Sequence, residues 1–165
     1  MAMKKFILIT LVSLFFISEA QIMAESGTNG VLKENDYMEA YTLEDQHGTL
    51  RTLQKDTEKV IVSFDMKLSK SFHNWLKEKE SSYLADNKTE YIIDITGMPR
   101  IVTWLFAGPK MRKYGFRILL IKEKGFVDNF QKKEGTFTVI TLDSDHKITN
   151  ISFPDNIDAI AKSIE

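Results

Sequence analysis

The chain has 165 residues, a formal charge of −1, 43% hydrophobic and 27% charged residues, and no cysteine. That composition suits one ordinary globular domain, and the near-zero charge supplies no bulk field to draw the chain to nucleic acid or to an anionic membrane. The lack of cysteine excludes thiol catalysis, iron–sulfur clusters, covalent c-type haem and thiolate zinc, and leaves the core to hold the fold without disulfides.

In chain order, the first element is a predicted signal peptide over residues 1–20. Lys4 and Lys5 supply positive charge, Phe6 to Ile17 form an apolar run of twelve, and Ser18 and Ala20 place small residues at −3 and −1 of a cleavage site. The run is too short to span a bilayer, which takes ~20 apolar residues; the alternative is an uncleaved N-terminal anchor. The mature chain is therefore expected in the periplasm with no stable membrane anchor. Residues 21–36 read as a flexible lead-in and 37–165 as one domain.

"MEAYTLEDQHGTLRTL" (38–53) alternates around Tyr41 and Leu43 and turns at Asp45 to Gly48. "KVIVSFD" (59–65) and "TEYIIDIT" (89–96) are β-branched apolar runs, the pattern of strands covered on both faces. Between them Phe72, Trp75, Leu76, Tyr83 and Leu84 share one stripe of a predicted helix from Ser69 to about Asp86, with Ser69 or Ser71 as its N-cap. Pro99 suits a first helical turn and opens "PRIVTWLFAG", which Gly108-Pro109 is expected to break or kink.

Three further strands are predicted over 116–125, 136–143 and 146–153, the last two forming a hairpin. A short helix follows Pro154, with Ile157, Ile160, Ala161 and Ile164 at helical spacing. The order β, β, α, β, α, β, β, β, α implies an α/β fold: a mixed central sheet flanked by helices in three layers, with an antiparallel C-terminal hairpin.

"YTLEDQHG" ahead of the first core strand, "VIVSF" leading into a helix, and "FRILLIKEKGFVDNF" followed by "VITLDSDHKIT" resemble the thioredoxin superfamily, in its exported thioredoxin-like and peroxiredoxin-like branch. "DITGMPRIVTWLFAGPKMRKYGFRILL" (94–120) also resembles small exported bacterial proteins of this fold with no settled activity. The likeness spans 37–165 and implies the thioredoxin-like fold. Its chemistry does not carry over. Ser69 falls about where the family's attacking cysteine stands and Phe72 at the second, and Gly135-Thr136 occupy the place of the family's cis-proline. Disulfide exchange needs a thiolate and a resolving thiol, so neither dithiol oxidoreductase nor thiol peroxidase activity is expected.

The remaining candidates lie at the rim where that site would be. Asp65, Lys67, Ser69 and Lys70 follow the first core strand; Asp94, Thr96, Met98 and Pro99 follow the next, at the sheet edge where open α/β sheets bind ligands. Asp65 and Asp94 could act as an acid/base pair, hold a cation, or cap helices and loops. Ser69 is either a cap residue or, with His73 one turn on, a nucleophile and base. Lys110, Arg112, Lys113 and Arg117, with Arg100, could grip a phosphate or an acidic partner, or complement a helix dipole. "IVTWLF" is apolar nearly all round, so Trp104 or Phe106 is either core or contact surface. No metal-ligand spacing is seen among His47, His73 and His146, and no cofactor is expected. The leading expectation is a non-enzymatic exported module that binds a protein or small molecule at this rim. The alternative is a cysteine-independent enzyme using the carboxylates or a bound cation.

Overall fold

The computed structural model describes residues 30–165, with the side chains of Arg100 and Trp104 excepted. The predicted signal peptide, residues 21–29 and any orientation of Trp104 lie outside the described residues.

The apolar runs form the strands their patterns predict. β1 (Thr42–Asp45) and β2 (Leu50–Thr52) make a hairpin, and β3 (Lys59–Ser63) and β4 (Thr89–Asp94) pair in parallel in the middle of the sheet. β5 (Leu119–Ile121) lies parallel to β4, and β6 (Phe137–Leu142) and β7 (Ile148–Ser152) form the C-terminal antiparallel hairpin. The seven strands run β2-β1-β5-β4-β3-β6-β7. Strand residues alternate between two faces. Ile61, Tyr91, Ile93, Leu120, Phe137 and Val139 enter one buried cluster, while Val60, Val62, Ile92, Leu119, Ile121 and Ile140 enter the other.

The first face is covered by α1 (Met66–Leu76), by α6 (Ile157–Ile164) and by the helical segment that ends at Met111. α1 brings Phe72 and Leu76 to the sheet, one turn apart on the same stripe, both essentially without solvent exposure. Its cap differs from the expected serines. Asp65 has extended backbone and its Oδ1 accepts the Leu68 N–H at 2.7 Å, so the helix starts three residues early. It also stops at Leu76, because "KEKESS" (77–82) offers no apolar side chain to bury; a separate short turn, α2 (Tyr83–Asp86), follows.

The second face is covered by α5 (Lys124–Val127) and by the N-terminal segment. The strand predicted over 116–125 is therefore shorter than its apolar run and turns helical after Lys122. The lead-in is docked over its described part: Leu32 is buried, its N–H donates to Asn129 O at 2.9 Å, and its carbonyl accepts Gln131 Nε2 at 2.8 Å.

Pro99 precedes a helical segment that the predicted break at Gly108-Pro109 does not end. α3 (Arg100–Val102) runs into a π-helical stretch (Thr103–Ala107) and then α4 (Gly108–Met111). A proline inside an α-helix clashes with the carbonyl four residues back. The wider turn relieves that clash, and the Gly108 N–H reaches five residues back to Thr103 O.

Candidate functional site

At the place of the family's cysteines, the end of β3 and the first turns of α1 hold a closed polar cluster. Ser69 is 3% exposed, and its Oγ donates to Ser63 Oγ at 2.8 Å. His73 is also buried, with Nε2 3.1 Å from the Tyr91 hydroxyl. Burial, then the charges of Lys77 and Lys110, pushes the His73 imidazole down to about 4, so the ring is neutral at pH 7. Burial likewise raises the Tyr91 phenol far above its ordinary range. A nucleophile must reach a substrate, and Ser69 is sealed under α1 with its hydroxyl already engaged. This cluster pins α1 to the sheet.

Asp65 and Asp94 each serve the local backbone. Asp65 caps α1, and Asp94 Oδ1 accepts the Thr96 N–H at 2.8 Å. Lys67 and Lys70 are exposed, while Met98 packs against the core. None of Asp65, Lys67, Ser69, Lys70 or Asp94 lines the groove that opens at the neighbouring strand ends. Among the described residues, no three His, Asp or Glu side chains meet in a way that would hold a metal ion. No helix there is long and apolar enough to cross a membrane.

The groove lies at the carboxyl ends of β4 and β5 and measures about 900 Å³. Ile95 and Leu120 contribute apolar lining, and Lys122 and Glu123 come from the segment after β5. One wall is the helical segment, through Met98, Thr103, Gly108 and Arg112. The other is the Asp45–Gly48 turn after β1. Of the sequence candidates, Thr96, Met98 and Arg112 thus meet here, while Lys110 and Lys113 face a separate hollow.

The turn, which in the sequence stands out as part of the entry motif and not as a site, forms a wall tied by its own hydrogen bonds. Gly48 takes φ +82, a conformation open to glycine. Asp45 Oδ1 accepts the N–H groups of His47 and Thr49, both at 2.9 Å, and Oδ2 accepts Arg51 Nε at 3.0 Å. Burial opposes ionisation of Asp45 and is the largest single influence. The Thr49 and His47 N–H groups, together with Arg51, outweigh it and hold the carboxyl below its ordinary range. Gln46, also buried, continues the β1–β5 pairing with its side chain: Nε2 donates to Phe116 O at 2.8 Å and Oε1 accepts the Ile118 N–H at 2.9 Å. The signal for this wall was the Asp-x-x-Gly pattern of Asp45 and Gly48, whose carboxylate can satisfy turn amides.

Beside the groove the helical segment is apolar and uncovered. Ile101 is 65% and Phe106 69% exposed, with Val102 and Leu105 also exposed.

No protein-family model matches the chain, and no curated protein matches it. Solved structures do. A putative protein disulfide isomerase from Bacteroides thetaiotaomicron superposes with a TM-score of 0.55 at 14% identity, over 81% of this chain and 87% of that one. The peroxidoxin BcpB from Mycobacterium tuberculosis matches at 0.52 and 18% identity, over 81% and 94%. The thioredoxin domain of a thiol-disulfide oxidoreductase from Bacteroides vulgatus matches at 0.51 and 17%, over 81% and 99%. With its parallel β3-β4-β5 core and antiparallel β6–β7 hairpin, the chain has the thioredoxin-like fold, and its sequence has no cysteine with which to run thiol chemistry.

Proposed function

We propose that this chain is an exported binding protein on a thioredoxin-like scaffold, with no thiol redox activity, and that it takes a protein partner along the groove and the adjoining helical segment. The carrying observation is the juxtaposition of an open groove, mixed polar and apolar in lining, with four uncovered apolar side chains beside it on the helical segment that forms one wall. Exposed apolar surface of this kind favours association with another apolar surface. Arg112, Lys122 and Glu123 would fix the partner's orientation through polar contacts at the rim. Export is supported by the charged start, the apolar run and the Ala20 site in the sequence.

The test is crosslinking in periplasmic extract, comparing the unaltered chain with Phe106→Asp/Arg112→Glu and with Asp65→Ala. The groove variant should lose the crosslinked partner while Asp65→Ala, which alters a helix cap away from the groove, keeps it. Identical crosslinks from all three proteins would remove the groove as the binding surface. Dithiol reductase activity in the pure protein would overturn the non-redox assignment.

A further inference from the structure

A smaller hollow, of about 450 Å³, opens where the chain leaves α1 and where it leaves α4. Its lining shares no residue with the groove. Lys77 and Lys79 reach it from one side, Lys110 and Lys113 from the other, and no acidic residue lines it. Among the described residues all three ion pairs lie elsewhere.

The wall of the recess holds one of these ammonium groups directly. Lys77 Nζ sits 5.1 Å from the Tyr114 ring centroid and donates to Asn74 Oδ1, whereas Lys79 Nζ lies over Trp75 and Tyr83, 4.7 and 5.6 Å from their centroids, rings outside the lining, so Lys79 stands at the rim. Tyr114 is itself stacked on Phe116, with centroids 5.1 Å apart and planes 12° from parallel. Gly115 keeps the recess narrow and clear: a Cβ there would come within 3.2 Å of the Ser81 Cβ. The charge of Lys77 and Lys110 is felt at His73 behind this wall, where after burial it is what depresses the imidazole further.

Helix dipoles account for part of this pattern. Lys77 caps α1 and Lys110 lies in the last turn of α4, positions where cations are favoured. Lys79 and Lys113 lie beyond those ends, outside the last turns that a dipole accounts for. The like charges of Lys77, Lys110 and Lys113 around one recess repel, and that repulsion is relieved when an anion enters.

We propose that this hollow binds a compact polyvalent oxyanion of the phosphate or pyrophosphate type, held by Lys77, Lys110 and Lys113 with Lys79 at its rim. Lysine ammonium groups serve as point-charge donors to phosphate oxygens. The recess is small enough to favour a free anion over an extended polyanion. The aromatic rings are already occupied by stacking and by lysine, so the ligand needs no ring of its own.

The experiment titrates inorganic pyrophosphate into the full chain by calorimetry and ¹H–¹⁵N spectroscopy, at low and at physiological ionic strength. Saturable binding is expected, with shifts at the Gly115 and Ser81 amides and a weakening as salt rises. Lys110→Gln/Lys113→Gln should weaken affinity by about tenfold or more. Lys55→Gln/Lys162→Gln, which removes the same charge from exposed lysines elsewhere, should leave affinity within about twofold. Equal weakening by both pairs, or shifts away from Gly115, would reduce the effect to diffuse electrostatics and overturn the site. Phosphatidylglycerol vesicles distinguish the source of the phosphate: cosedimentation without any pyrophosphate binding would likewise overturn a recess for a compact anion. Failure of this test leaves the groove untouched, since crosslinking at Phe106 and Arg112 reports on different residues.

Discussion

The buried imidazole of His73 makes the stability of the whole chain depend on pH. In the unfolded chain the ring titrates near its ordinary 6.5, whereas in the folded chain burial, Lys77 and Lys110 hold it to about 4. Between these values the unfolded state binds a proton that the folded state refuses, so stability falls as pH falls from about 6.5 toward 4 and this contribution is complete below that. The gap allows a loss of up to about 3 kcal/mol. Asp45 acts in the same direction at lower pH: its carboxyl is held below the ordinary range, so its stabilising contribution is lost as pH drops through that range. Urea unfolding at pH 7, 5.5 and 4.5 measures the slope. His73→Gln, which keeps a polar partner for the Tyr91 hydroxyl, is expected to flatten it between 6.5 and 4. An unchanged slope in that variant would place the proton uptake elsewhere.

At the scale of elements, the two helical glycines separate local propensity from tertiary contact. Gly125 lies in α5 with nothing within 4 Å of a prospective Cβ, so Gly125→Ala should raise stability by about 0.5–1 kcal/mol through helix propensity. Gly108 starts α4, and a Cβ there would stand 3.0 Å from the Thr103 carbonyl and 3.3 Å from the Arg112 guanidinium. Gly108→Ala is therefore expected to gain nothing, its propensity advantage offset by the crowded π turn. Thermal unfolding of the two variants decides it, and equal gains would mean that the π turn relaxes freely. The same elements mark what the sequence could and could not reveal. The β-branched runs at 59–63 and 89–94 declare themselves because burial on both faces demands an unbroken apolar pattern. The end of α1 and the start of α5 are hidden, since single-residue periodicity cannot locate where a helix runs out of sheet to cover. The π stretch is invisible because its cause, Pro109 within a helix that continues, reads in sequence as a stop. Lys110, Arg112 and Lys113 were legible as a basic cluster. Their division between two hollows was not, because it depends on the direction each one takes at and after the end of α4.

At the scale of the molecule, a sheet buried on both faces makes the two clusters one cooperative unit, for β3, β4, β5 and β6 each feed side chains into both. The docked N-terminal segment belongs to that unit. Leu32 is 5% exposed and shares its cluster with Met38, Val127 and Phe130, while the Asn35 N–H donates to Ile148 O and the Ile148 N–H to Asp36 O. Truncating such a buried leucine costs about 2–5 kcal/mol, with the lower half expected at a chain segment near the surface that can settle inward. Leu32→Ala should thus lower the denaturant midpoint without changing its slope. Tryptophan fluorescence, to which Trp75 contributes from the opposite face of the sheet, should report the same shift as far-UV circular dichroism. Coincident transitions would establish that residues from Leu32 onward are part of the folded domain that presents the groove. A fluorescence midpoint left in place while the dichroism moves would mean that the N-terminal segment and α5 open by themselves, and that the face carrying α1 stands without them.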